Sequence, residues 1–219
     1  MILRRLYLSF CLFCRFSHVI FQLLYGVWKV GSLPHPIVTI FGSARMHHIP
    51  YATQAHDLAQ MLVEQGISVL TGGGPGIMQA AYSGIYESKA ATGKSLGIGV
   101  SGLSEPPSSP DQNYIELDYF FARKWLLTNY SIAFVVFPGG FGTLDELMEV
   151  LTLIQTKKMP PVPIILVGTP YWQPLLAWLQ DILLKEGTID EKDLGLLIII
   201  DDLKTISENI KNICSNCTL

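Results

Sequence analysis

Charge is what this chain has least of. Asp, Glu, Lys and Arg make up 15% of its 219 residues, against roughly a quarter in an average soluble domain, so part of the surface is expected to lie under a partner. What charge there is nearly cancels. Fifteen Lys and Arg face eighteen Asp and Glu, a net −3, which lacks the basic excess of a general nucleic-acid binder. A small anion held by backbone amides stays compatible with that balance.

No acidic residue precedes Asp57 and no alanine precedes Ala44. The first absence leaves residues 1–33 as a basic, apolar arm bearing Arg4, Arg5, Arg15 and Lys29, with Arg45 just beyond it. The second removes the A-x-A site that would have to follow Arg4-Arg5 and the apolar run 6–14 in a secretory signal, so a cytoplasmic location is expected. A membrane span needs about 18 unbroken apolar residues, and Arg15 interrupts this run after nine. Cysteine is also scarce. The four fall into two CxxC pairs, Cys11/Cys14 and Cys214/Cys217, but they are far apart and the first has no glycine to form a knuckle, so they read as reduced thiols rather than a zinc site. No HExxH occurs, and His47-His48 reads as an exposed loop pair. Gly93-Lys94-Ser95 resembles a P-loop ending, yet Ser88 stands where its first glycine is required and a helix precedes it. No metal or cofactor is called for.

The length suits one α/β domain over 34–219. Within the arm, Phe16, Val19, Ile20, Leu23, Leu24, Val27 and Trp28 recur at helical spacing, a stripe expected to dock on the domain or on a second subunit, with the membrane surface as the lesser alternative. Beyond it, short β-branched runs at 37–41, 67–70, 96–100, 132–137, 162–167 and 196–200 alternate with helical periods at 51–65, from 77, near 123–130, 144–156, 172–185 and up to 214. This alternation predicts a Rossmann-like domain with a doubly wound, mainly parallel sheet.

Ligands of such sheets bind at the carboxyl ends of the strands, which directs attention to three loops. Gly42-Ser43-Ala44-Arg45 offers a hydroxyl and a guanidinium. Gly72-Gly73-Gly74-Pro75-Gly76 brings backbone amides to a helix start, where the dipole favours an anion. Pro138-Gly139-Gly140-Phe141-Gly142-Thr143-Leu144-Asp145-Glu146 repeats that arrangement and adds a hydroxyl and two carboxylates. One glycine-rich turn means little, because tight turns need glycine whatever they bind. Two in one domain suggest a phosphate.

The stretch from 37 to about 178 resembles the Lonely Guy (LOG) family of nucleoside 5′-monophosphate phosphoribohydrolases, often labelled "possible lysine decarboxylase". The resemblance rests on Gly72-Gly73-Gly74-Pro75-Gly76-Ile77-Met78, on Phe121-Ala122-Arg123-Lys124, and on the PGGxGTxxE signature at 138–146. It implies a homodimer without metal or organic cofactor that cleaves AMP or a cytokinin ribotide to free base and ribose 5-phosphate. Carried over by position, it implies catalytic Glu146 and Arg123. The substrate contacts it implies are Lys124, Gly139, Gly140, Phe141, Gly142, Thr143, Leu144 and Asp145, then Thr152 on the same helix and Glu105 in the proline-rich loop, joining Ser43, Gly73 and Gly74 from the other two loops.

Chemistry agrees with that reading. Breaking a ribosyl C–N bond passes through an oxocarbenium-like state and needs negative charge near the sugar and an activated water, for which Glu146 is suited. A decarboxylase would carry pyridoxal phosphate on a Schiff-base lysine, and Lys124, beside Arg123, looks instead like an anion contact. The alternative is a non-catalytic nucleotide carrier, or one for the molybdenum cofactor, on the same fold.

Overall fold

Seven short strands, the five inner ones buried on both faces, form a single all-parallel sheet in the order β4-β3-β2-β1-β5-β6-β7. The computed structural model describes residues 2–46, 50–88, 93–103 and 113–216. The strands are β1 (Ile37–Phe41), β2 (Ser68–Thr71), β3 (Ser95–Val100), β4 (Tyr114–Leu117), β5 (Ala133–Val136), β6 (Ile164–Leu166) and β7 (Leu197–Ile199). The helices are α1 (Ile2–Gly31), α2 (Tyr51–Glu64), α3 (Ile77–Glu87), α4 (Phe120–Asn129), α5 (Phe141–Gln155), α6 (Thr169–Trp178), α7 (Glu191–Leu194) and α8 (Leu203–Asn216), with a wider π turn at Leu179–Leu184 extending α6.

Side chains alternate along each strand, so β1 sends Ile37 and Phe41 to one face and Val38 and Ile40 to the other. The first face carries α1, α4, α5 and α6 through Val30, Leu126, Leu147, Val150 and Trp172. The second carries α2, α3 and α8 through Leu58, Leu62, Ile77, Ala81, Ile206 and Ile210. Burial on both sides is why the strands read as unbroken apolar runs.

The largest differences from the sequence expectation are in α1 and β4. α1 begins at Ile2 rather than near Phe16, because nothing in residues 2–25 breaks a helix and the run 6–14 simply continues the same period. β4 was not expected as a strand. It is four residues long at the sheet edge, and only Ile115 and Leu117 turn inward, too short an alternation to stand out beside the proline-rich segment before it.

The chain moves outward from β1 to β4, then returns through α4 to place β5 on the other side of β1. The order therefore reverses between β1 and β5. At that switch point the two exit loops separate and leave a crevice, and the Ser43 amide donates to the Pro138 carbonyl (3.2 Å) to tie its edges together.

Candidate active site

Three helices begin where central strands end, and each start exposes amides without intrahelical partners. At α3, the Ile77 amide is bonded to the Ser43 carbonyl (3.1 Å). At α6, the amides of Gly168 and Thr169 are capped by the Asp201 carboxylate at 2.7 and 3.1 Å, and these bonds hold that carboxyl below its ordinary range against the opposing pull of burial. At α5, Gly140 precedes the helix, no side chain caps it, and the first intrahelical bond runs from the Leu144 amide to the Gly140 carbonyl. The amides of Phe141, Gly142 and Thr143 are thus the donors of an open helix N-terminus, the place on the sheet where an anion gains most from the dipole. α5 starts three residues before the expected 144, since glycines conceal the helical period there.

A cavity of about 610 Å³ lies in front of these amides. Its wall takes Ser43, Ala44 and Arg45 from the β1 exit, Gly72 and Met78 from the β2 exit, Phe120, Arg123 and Lys124 from α4, residues 139–146, and Tyr171 from α6.

Arg123 and Glu146 meet in this wall. Nη2 of Arg123 donates to Oε1 of Glu146 at 3.4 Å, and the two side chains are 9% and 14% exposed. Burial pushes the Glu146 carboxyl up to about 7, the positive charge of Arg123 only partly offsetting it. Arg123 also keeps a buried Nε–H with no acceptor among the described residues, a donor available to a ligand oxygen. Gly72 makes room for it, because a side chain there would run into the guanidinium and the Met78 sulfur.

Lys124 is engaged differently. Its ammonium lies 2.9 Å from both Asp145 Oδ2 and Glu149 Oε2. Burial works to lower its pKa, yet these two carboxylates outweigh it and leave it raised. Lys124 therefore clamps α4 onto α5 while lining the cavity.

Thr143 is buried at the base of the phosphate-type loop, packed so closely beneath Gly139 that a side chain at 139 would strike its hydroxyl. Phe141 stands almost fully exposed on the rim. Thr152 does not reach the cavity: it is exposed on α5 and its hydroxyl donates to the Met148 carbonyl. Of the second glycine-rich loop, Gly72 lines the cavity, whereas Gly73 and Gly74 lie outside its wall. Gly73 has φ +73° and lies against the Tyr114 ring, and the loop braces the β1 exit through Ile77 and Ser43. Glu105, His47 and His48 lie outside the described residues.

Sequence reasoning missed Tyr171. Its hydroxyl donates to the Gly139 carbonyl, so α6 holds the loop that precedes α5. A tyrosine just after the exit of β6, the strand beside β5, was the available signal.

A family model described as "Possible lysine decarboxylase" matches residues 78–210, more than half of the chain. A rice (Oryza sativa subsp. japonica) protein, cytokinin riboside 5′-monophosphate phosphoribohydrolase LOG, is 32% identical over 165 residues, 72% of this chain and 64% of its own length. A second rice protein, probable cytokinin riboside 5′-monophosphate phosphoribohydrolase LOGL3, is 34% identical, with 68% and 70% covered. The chain belongs to the LOG family. Its match spans under two thirds of the first rice relative, whereas a Mycobacterium tuberculosis protein, cytokinin riboside 5′-monophosphate phosphoribohydrolase, 27% identical, is covered over 89% of its length. Among solved structures, the molybdenum cofactor binding protein of Rippkaea orientalis shares the fold with TM-score 0.60 and 22% identity, covering 81% of this chain and 96% of that one. The PGGxGTxxE stretch at 138–146 coincides with the open start of α5.

Proposed function

We propose that this LOG-family chain hydrolyses the N-glycosidic bond of a nucleoside 5′-monophosphate, AMP or a cytokinin ribotide, to free base and ribose 5-phosphate. The observation that carries the reading is the pairing of a buried carboxyl, Glu146, with the open N-terminus of α5 one turn away. The amides of 141–143 and the Thr143 hydroxyl receive the 5′-phosphate, and the cavity holds the nucleoside. As the C1′–N bond breaks, its electron pair leaves with the base and positive charge grows on the ribose. The Glu146 carboxylate stabilises that charge and takes a proton from the water whose oxygen bonds to C1′; the departing base takes up one proton from the surrounding water, so that once Glu146 gives its own back the OH ends on the ribose and the H on the base. Arg123 orients the nucleotide and keeps Glu146 in place, and Lys124 fixes Arg123's helix against α5. No metal or organic cofactor enters these steps.

The expected setting is cytoplasmic, with a nucleoside monophosphate and no nucleic acid as partner. The expected assembly is a homodimer, supported by the low charge fraction and by an apolar groove of about 700 Å³ between α1, α4 and α5, lined by Leu23, Val27, Trp125, Leu153 and Met159.

Purified protein incubated with AMP tests the reading: adenine and ribose 5-phosphate are released. Binding of AMP without release of adenine would instead mark a carrier, the behaviour the fold shared with the molybdenum cofactor proteins brings to mind. A panel of nucleoside monophosphates against the matching nucleosides then ranks the bases.

A further inference from the structure

α1 has two apolar faces, and only one is used. Leu23, Gly26, Val27 and Val30 turn toward the domain, Gly26 lying directly on Leu126 of α4, while His18 and Gln22 hold Asp118 at 2.6 and 2.9 Å. Opposite them, at alternating spacings of four and three, Phe10, Cys14, Ser17, Phe21, Leu24 and Trp28 form a continuous outward stripe. Phe10, Phe21 and Trp28 are 64%, 68% and 65% exposed. The stretch Phe10–Gly31 is long and apolar enough to cross a bilayer, and almost none of it is buried.

We propose that α1 lies along an anionic lipid surface, its outward stripe in the acyl boundary and the domain held on the water side. Two observations choose this occupant. Every charged residue of α1 is a cation, Arg4, Arg5, Arg15 and Lys29, in a chain whose net charge is −3, so the sign of this helix complements anionic headgroups. Lys29 also stands over the rings of Tyr25 and Trp28 (5.8 and 5.6 Å), the pairing of amphipathic ring and long cation that suits the headgroup level. The helix lies on the surface rather than spanning it, because spanning would strip the contacts of Gly26, Val30, His18 and Gln22. The proposal is independent of the chemistry at Glu146.

Co-sedimentation of the full chain with vesicles tests it. Phosphatidylglycerol-containing vesicles are expected to carry the protein down, pure phosphatidylcholine vesicles to carry much less, and added salt to release it. The double variant Phe21→Glu/Trp28→Glu, which leaves the domain-facing contacts intact, is expected to lower the bound fraction by roughly tenfold or more with an unchanged circular dichroism spectrum. A wild type that ignores both vesicles, or a variant that binds as well as the wild type, overturns the proposal. So does a wild type that ignores vesicles but loses mass in light scattering when the stripe is charged, which assigns the face to a second copy. Should the double variant not fold, Phe21→Ser replaces it, with the same expected loss of binding.

Discussion

Arg123 Nη2 lies 3.4 Å from Glu146 Oε1, long for a charge-assisted bond, whose usual length is roughly 2.7–2.9 Å, although both side chains are nearly buried. A loose pair of this kind leaves the carboxylate free to face a developing cation and the guanidinium free to take a ligand oxygen. Each partner is held where the other cannot fully satisfy it.

Glu146→Gln is therefore expected to keep AMP binding and lose turnover by roughly two orders of magnitude or more. Arg123→Ala is expected to damage both terms, because it removes an orienting contact and leaves Glu146 buried without its cation. Calorimetric AMP binding beside chromatographic adenine release separates the two patterns. Near wild-type hydrolysis by Glu146→Gln would falsify the assigned mechanism.

Thr143→Val removes a hydroxyl from the base of the loop and keeps the shape. Its cost should fall on binding, about 1 kcal/mol, and should shrink for adenosine, which has no 5′-phosphate. An equal loss for AMP and adenosine would place the hydroxyl away from the phosphate.

The glycine-rich loop, Thr143, Glu146 and Arg123 were legible in the sequence because local chemistry follows chain order there: an apolar strand, a turn, a helix start. The rest depended on contacts that spacing does not carry. That the first amide of α3 is already engaged follows from the Ser43–Ile77 bond, 34 residues apart, and the capped start of α6 follows from Asp201 reaching back to Gly168. Both glycine-rich loops looked alike, and only the long-range bond at Ile77 shows that the second one also braces the β1 exit. Tyr171 and the clamp formed by Lys124 were hidden for the same reason, whereas α1 was visible as a helix but not in its full length.

Tyr171 positions rather than reacts: its hydroxyl fixes the Gly139 carbonyl and with it the aim of the following amides. Tyr171→Phe should raise KM for AMP by roughly tenfold, the value of one hydrogen bond, with kcat little changed. A fall in kcat at constant KM would mean that the hydroxyl acts on the chemical step.

Stability should carry the mark of Glu146. Its folded pKa of about 7 lies above the ordinary 4.5, so between those values the folded chain holds a proton that the unfolded chain has released, and stability falls as pH rises through that window. Glu146→Gln removes the ionisation. Its thermal midpoint is expected to match the wild type near pH 5 and to exceed it at pH 8, by a free energy on the order of 3 kcal/mol. A gap that does not widen with pH would show that the carboxyl is not raised.

Turnover should follow the same group in the opposite sense, because the ionised carboxylate is the form that stabilises the sugar cation and accepts the water's proton. For the wild type, kcat/KM should climb as pH passes about 7, reporting the free enzyme. Lys124 supplies a sharper check. Its positive charge helps lower the Glu146 pKa, while Asp145 and Glu149, the carboxylates it now engages, raise it. Lys124→Met removes the favourable charge and leaves the two unfavourable ones unopposed, so the rising limb should move to higher pH with the plateau partly preserved. Adenine release measured from pH 5.5 to about 9 for both proteins reads this shift directly. A limb that stays in place while the plateau falls would show that Lys124 holds the helices together without setting the charge on Glu146, and a limb that moves to lower pH would reverse the electrostatic assignment of the site.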